Sequence, residues 1–371
     1  MPRTTPPEAI LSRGALNRAL LARQLLLDRA ALSPTDAIEH LVGLQAQAPK
    51  TPYVGLWTRL AAFRPDALSD LIATRQAVRI ATMRATVHLV TARDCLTLRP
   101  VVQPVLDRGL QGNGRDLAGV DLAALVAAGR ALVEEQPRTL AELRTLLGAR
   151  WPAHDAASLA HAIHCLLPLI QVPPRGLWGA SGQANCTTAE AWLGQPLAAD
   201  TAPDDMLLRY LAAFGPASIQ DMQKWSGLPA LRAAVERLRP RLRTFRDERG
   251  RELFDLPDAP LPDPATSAPP RFLPEYDNAL LSHADRTRII SEDHRKASLT
   301  SVNGIVPGTI LLDGFVGGTW KLAQSRTVAT LRIETFAPLS PPDRDTLAEE
   351  AERLLAFAAP DAPIRELQFA E

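Results

Sequence analysis

Along the first hundred residues the spacing of apolar positions changes in a way that separates helix from strand. At Ser33-Pro34-Thr35-Asp36 the chain offers an N-cap and a proline suited to a first helical position, and Ala37, Ile38, Leu41 and Val42 follow at helical spacing. Further helical periods cover residues 53–60 and 65–75, after which residues 78–90 switch to the alternation of a β-hairpin. The same order returns twice. Residues 122–135, 139–147 and 156–167 read as helices, with 169–172 and 177–178 flanking a Pro173-Pro174-Arg175-Gly176 turn. Residues 204–214, 218–225 and 229–238 read as helices, with 242–245 facing 252–254 across Asp247-Glu248-Arg249-Gly250. Three helices braced by a hairpin describe a winged helix, so the pattern predicts three tandem units over 1–110, 111–200 and 201–258.

The Pro-rich run at 256–270 has no apolar period and reads as an extended linker. Beyond it, 309–312, 319–322 and 328–336 are strand-like, Gly317-Gly318 offers a hairpin turn, and 342–357 is helical with Leu347, Leu354 and Leu355 inward before a last strand at 364–369. The expectation for 271–371 is a small β-barrel covered by one helix. The whole is an α+β protein.

Length and composition agree with this division. A chain of 371 residues, 46% hydrophobic and 22% charged, is a folded globular protein, and at about 150 residues per domain it holds two or three. Lys+Arg and Asp+Glu are equal at 41, so net charge draws the molecule to neither nucleic acid nor membrane, and any such affinity rests on uneven placement. Only Lys50, Lys224, Lys296 and Lys321 are lysines, an Arg bias that reads first as genome-wide coding preference. Cys95, Cys165 and Cys186 match no disulfide framework, zinc ribbon or redox pair, which points to a reducing cytoplasm. No signal-like or membrane-spanning apolar run is present in the sequence.

Several candidate chemistries fail on spacing. Gly112-Asn113-Gly114 lacks the third glycine of a dinucleotide loop. His161 and His164 stand one helical turn apart without a further ligand, so no metal is expected, and no Gly-x-Ser-x-Gly elbow occurs. A basic run is more telling. Residues 232–251 carry eight arginines, among them Arg239, Arg243 and Arg246, across the third helix and wing of the last unit, where winged helices meet phosphates. In the first hairpin Arg84, Thr86 and His88 share a parity and so one face, with Val87 and Leu89 on the other. In Leu44-Gln45-Ala46-Gln47-Ala48-Pro49, Pro49 disfavours helix at Ala48, and in an extended segment Gln45 and Gln47 point the same way, next to Lys50. That pair serves either helix capping and loop hydrogen bonds or chemistry.

The runs LVGLQAQAPKTPYVGLWTRL, AVRIATMRATVHLV, LLPLIQVPPRGLWG and FLPEYDNALLSHADRTRII, in that order, closely resemble the winged-helix DNA-binding family that includes the AlkZ-like DNA glycosylases. The resemblance spans about residues 11–335, and Gln45 and Gln47 match the Gln-x-Gln motif of the AlkZ-like branch, where the related YcaQ-like branch has Gln-x-Asp. It implies tandem winged helices and a β-barrel in a C-shaped, DNA-clasping arrangement. It also implies excision of alkylated purines, including interstrand crosslinks, with Gln45 and Gln47 catalytic.

The chemistry fits that implication. A carboxamide is too weak a base to deprotonate water, but a purine alkylated at N7 or N3 is cationic and leaves without an acid, so two amide dipoles need only hold a water and favour positive charge. DNA contacts are expected from Lys50, Arg79, Arg84, His88, Arg175, Arg239, Arg243, Arg246 and Arg286. Asp277, Asn278, His283 and Asp285 either line the cleft or tie the C-terminal domain to the rest. Double-stranded DNA bearing alkylated or crosslinked bases is the expected partner, with no metal or organic cofactor and a monomeric, cytoplasmic, membrane-free protein. Two other classes compete: a non-catalytic winged-helix regulator, against which the absence of a coiled-coil seam argues, and a protein-interaction module, which zero net charge favours.

Overall fold

The computed structural model describes residues 9–111, 116–299 and 306–370. Gly112-Asn113-Gly114 lie outside the described residues. Helices form where capping residues meet an apolar stripe. Ser33, Thr91, Asp121, Thr139, Asp155 and Ser218 each accept a backbone N–H with the side chain at a helix start, and Thr139 and Ser218 complete capping boxes with Glu142 and Asp221.

The helices expected for the three units lie near the expected places: Pro34–His40, Thr51–Trp57 and Pro65–Ala73, then Leu122–Glu135, Leu140–Arg150 and Ala156–Leu166, then Asp204–Phe214, Ile219–Ser226 and Arg232–Leu238. The hairpins are less independent than three separate wings. Strands Leu44–Gln45, Val87–Thr91, Ala77–Ala81, Leu169–Gln171 and Cys186–Thr188 form one antiparallel sheet in that order, because Arg79 pairs with Gln171 and Ile80 with Ile170. The first two repeats therefore share a sheet. In the second repeat the partner strand is Cys186–Thr188, and Leu177 and Trp178 sit in the long connection instead of a tight hairpin.

The third hairpin pairs Arg243–Asp247 with Glu252–Asp255 much as the alternation predicts. A parallel partner, Ile10–Leu11, joins it, and the helix Arg13–Arg23 delivers Arg23 to a buried ion pair with Asp255 at 2.6 Å. One core holds Leu20 and Leu21 together with Tyr210, Phe214 and Trp225 of the third repeat and Leu280, Ile289 and Leu311 of the C-terminal part.

The C-terminal part is an open sheet, not the expected barrel. Its order is Ile364–Ala370, Val328–Thr335, Phe315–Gln324, Gly308–Leu312 and Arg271–Leu273, and the two outer strands do not meet. An edge strand of three residues offers too little backbone to close the sheet, and helix Pro341–Ala358 covers one face instead. Leu347, Leu354 and Leu355 point inward as predicted, onto Phe272, Ile310, Leu331 and Ile333. Gly317 and Gly318 are also not a turn. They lie inside Phe315–Gln324, where a Cβ on Gly318 would stand 2.5 Å from the Glu334 carbonyl oxygen; the turn before that strand is Asp313-Gly314.

Candidate active site

The Gln-x-Gln segment is held by what surrounds it. Val42 and Gly43 take positive φ (54° and 88°) and turn the chain sharply out of helix Pro34–His40. Glycine is required at 43, since a Cβ there would lie 2.7 Å from Val90 Cγ1. Leu44 and Gln45 then pair with Leu89 and His88, and the Ala46 N–H donates to the Val87 carbonyl. At Ala46 the carbonyl oxygen accepts from Arg79 Nη2 at 2.7 Å, and the Gln45 carbonyl accepts from Thr51 Oγ1. The backbone around both glutamines is thus fixed by hydrogen bonds.

Their side chains differ. Gln45 is 7% exposed, and its Oε1 accepts from Arg84 Nη2 at 2.7 Å. A guanidinium has no acceptor, which orients the carboxamide. Gln47, two residues on, is exposed, and among the described residues its carboxamide makes no hydrogen bond. The sequence expectation of two equivalent amides becomes one anchored amide and one presented to solvent.

Arg84 occupies an unusual position. It and Ala85 take φ of 58° and 57° in the link between Ala77–Ala81 and Val87–Thr91, a conformation that costs non-glycine residues of order 1–2 kcal/mol each. Hydrogen bonds to Gln45 Oε1, Asn278 Oδ1 (2.9 Å) and the Trp225 carbonyl (2.7 Å) hold it there. Burial and the nearby Arg286 guanidinium push its pKa down to about 10, so it remains a cation at neutral pH. Among the described residues neither Arg84 nor Arg286 forms an ion pair, leaving local positive charge that a phosphate group would complement.

Other expected DNA-contacting residues are structural. Arg79 is 1% exposed; it holds the Ala46 carbonyl and Gln171 Oε1, and burial with the nearby Arg175 charge lowers its pKa to about 10. It cannot reach a duplex. His88 is fully buried instead of groove-facing, because the turn at Arg84 breaks the strand alternation that put Arg84 and His88 on one face. Its Nδ1 lies 2.9 Å from the Thr86 carbonyl, and burial and the Arg84 charge push its pKa down to about 3. Of the basic run, Arg239 pairs with Glu236 and Glu252, Arg243 with Asp255, and Arg246 donates to the Gly250 carbonyl. These arginines carry little uncompensated charge.

Asp277, His283 and Asp285 tie modules together. Asp277 accepts two bonds from Arg59, His283 Nε2 contacts the Phe214 carbonyl, and Asp285 receives Arg249 and Arg251 and has its pKa lowered to about 2 by bonds from Thr287 and Arg251. Asn278 bridges Arg84, which holds Gln45, and the Gly43 carbonyl, and Asp277 and Asn278 both line a small cavity with Gln45. Lys50 and Arg175 line a cleft of about 570 Å³ whose wall includes Ala48, the residue after Gln47, though neither glutamine itself lines it. The cleft also has aromatic walls, Trp178 and Trp320, and Trp178 was missed by the sequence reading of the site. The signal was weak: Trp178 belongs to the RGLWG run, but nothing in its spacing marks it as lining.

With this geometry in hand, the likeness to known proteins is decisive: residues 38–357 match the family described as DNA glycosylase AlkZ-like. The chain belongs to that family. An interstrand DNA cross-link repair glycosylase of Streptomyces sahachiroi is 22% identical over 341 residues, covering 84% of this chain and 88% of that protein. The solved structure of the Streptomyces sahachiroi DNA glycosylase AlkZ superposes with a TM-score of 0.77 at 20% identity, covering 97% of this chain and all of the other. The AlkZ-like fold thus extends across nearly the whole chain, and the Gln45 and Gln47 arrangement lies within the matched region.

Proposed function

We propose that this AlkZ-like glycosylase hydrolyses the N-glycosidic bond of purines made cationic by alkylation at N7 or N3, including purines joined in interstrand crosslinks. In this reading three winged-helix modules and the C-terminal sheet clasp duplex DNA in a C-shaped arrangement, one enzyme molecule to one lesion. The observation that carries it is the pairing of an anchored carboxamide with an exposed one beside an open, cation-lined cleft.

In the step itself the C1′–N9 bond breaks, its electron pair leaves with the purine, and the alkylated base departs neutral. Water adds to C1′ and gives its proton to solvent. The Gln47 carbonyl oxygen accepts a hydrogen bond from that water and presents a negative dipole end to the oxocarbenium-like sugar. Gln45, turned by Arg84, supplies its amide group at the base of the same loop. Arg84 and Arg286 bind a flanking phosphate. No metal or organic cofactor is needed, because the leaving group already carries the positive charge that an acid would otherwise supply. A cleft open to solvent suits a crosslinked purine, which is tethered to the opposite strand and cannot enter a closed pocket.

The test uses oligonucleotides bearing one N7-methylguanine or one defined crosslink, treated with the protein and then with hot alkali. Strand breaks at the lesion and unhooking of the crosslink are the expected results. Tight binding of both substrates without abasic sites would refute hydrolysis and leave a DNA-binding role.

A further inference from the structure

Beyond the glutamines the cleft has a lining unlike the rest of the surface. Lys50 and Lys321, two of only four lysines in the chain, both border it, together with Arg175, while Glu275 is the one acid among its described lining residues. Trp178 and Trp320 form part of its apolar surface. Both rings are set rigidly. Trp178 packs on Tyr53 (4.9 Å between centroids) and Phe357 (5.4 Å), and Trp320 donates Nε1–H to the Leu273 carbonyl at 2.8 Å and meets Phe272 edge-on.

The Trp178 wall is also fastened to the glutamine loop. Tyr53 donates its hydroxyl to the Gly176 carbonyl, and Gly176, at φ 96°, leaves room for Arg79, whose Cδ would lie 2.7 Å from a Cβ there. Arg79 in turn holds the Ala46 carbonyl between the two glutamines. A rigid link therefore runs from the cleft wall to the Gln-x-Gln backbone.

Cations combined with flat indole faces match one chemical class, a planar base carrying a phosphate. We propose that this cleft is a binding site for a single extrahelical nucleotide, its base against Trp178 and Trp320 and its phosphate among Lys50, Arg175 and Lys321. The volume of about 570 Å³ lies within the range of small-molecule sites and admits a nucleotide without enclosing it. The inference rests on the reading of the chain as a DNA-acting glycosylase and deepens it by assigning where an unpaired nucleotide goes.

The probe is a 20-base-pair duplex carrying one mispaired 5-iododeoxyuridine, irradiated with the full-length protein and mapped by peptide mass spectrometry. Crosslinking to the peptide containing Trp178 or Trp320 is expected. In parallel, preference for the mispaired over the fully paired duplex is measured by fluorescence anisotropy for wild type, Trp178→Ala and Lys321→Ala. Stacking on one ring predicts a loss of preference of about tenfold in Trp178→Ala. Lys321 is exposed, so its variant folds and loses phosphate affinity even if Trp178→Ala does not fold. Crosslinks that map elsewhere, or equal affinity for both duplexes in the wild type, overturn the site. Crosslinking at Trp178 together with no release of N7-methylguanine from its own duplex would instead leave the site standing and refute the hydrolytic reading.

Discussion

Replacing Gln47 with alanine isolates the one amide that solvent reaches. The side chain is exposed and makes no hydrogen bond among the described residues, so its loss changes stability by no more than about 0.5 kcal/mol. Nor is it one of the positive groups that hold phosphate, so DNA affinity stays within about twofold. The transition state is different. Removing one preorganised dipole from a developing charge costs about 2.7–4 kcal/mol, a fall of 10²–10³ in rate. Single-turnover release of N7-methylguanine, with enzyme in excess so that chemistry is observed, measures this directly, and filter binding on the same duplex gives the affinity. Gln45→Ala serves as the contrast: it leaves Arg84 with two of its three partners and therefore lowers both thermal stability and rate. A Gln47→Ala enzyme that retains more than a third of the wild-type rate, or whose rate falls only as its affinity falls, refutes the assignment of Gln47 to the reacting water.

Gly43→Ala places a Cβ 2.7 Å from Val90 at a positive φ and should destabilise the fold by about 1–3 kcal/mol, read as a lowered urea midpoint, with excision falling even where the protein is folded. Arg79→Met keeps bulk but removes the donor to Ala46 and Gln171; it should cost about 1–3 kcal/mol and slow excision without changing the salt dependence of DNA binding, because the guanidinium meets no phosphate. His88 makes stability depend on pH. With its folded pKa pushed down to about 3 against about 6.5 unfolded, the unfolded chain takes up the proton first as pH falls. Stability is full above pH 6.5 and drains away towards pH 3, by about 2 kcal/mol at pH 5. Urea melts at pH 7 and 5 should show a smaller difference in His88→Gln; an unchanged difference would place the effect elsewhere.

Local rules carried much of this architecture. The N-cap at Ser33 and the apolar stripe of Leu347, Leu354 and Leu355 are short-range signals, and they lie where the pattern put them. Long-range pairing left no comparable mark. Nothing in Ile80 or Ile170 announces that two hairpins join edge to edge, and nothing in Ile10 announces a parallel partner at Arg246. The expected barrel failed for the same reason: closure depends on the length of Arg271–Leu273 and on which face a helix covers. At the site, extended backbone was legible from Pro49 and is present at Leu44–Gln45, but the chain bends at Gln47, so the two side chains do not share the one direction expected. The inequality of the two amides was not legible, because it arises from Arg84, a residue turned out of its strand by two successive positive φ angles.

Arginine was the least readable residue type. An Arg-rich sequence suggests a basic DNA-binding surface, yet Arg23, Arg59, Arg79 and Arg99 are among the largest fully buried side chains, and each joins segments distant in sequence. Arg23 meets Asp255, Arg59 meets Asp277, Arg79 meets Gln171, and Arg99 meets the Cys165 carbonyl. The planar fork explains the choice: it satisfies several acceptors at once at a junction between modules, which a lysine ammonium, more strongly hydrated, does poorly. Once those arginines and the ion-paired ones among residues 237–251 are set aside, Arg84, with Arg286 nearby, has no ion pair among the described residues, and Lys50, Arg175 and Lys321 line the cleft. Neutral overall charge is then compatible with DNA binding, because many arginines are spent on contacts within the fold while Arg84 holds Gln45 and Lys50, Arg175 and Lys321 border the cleft.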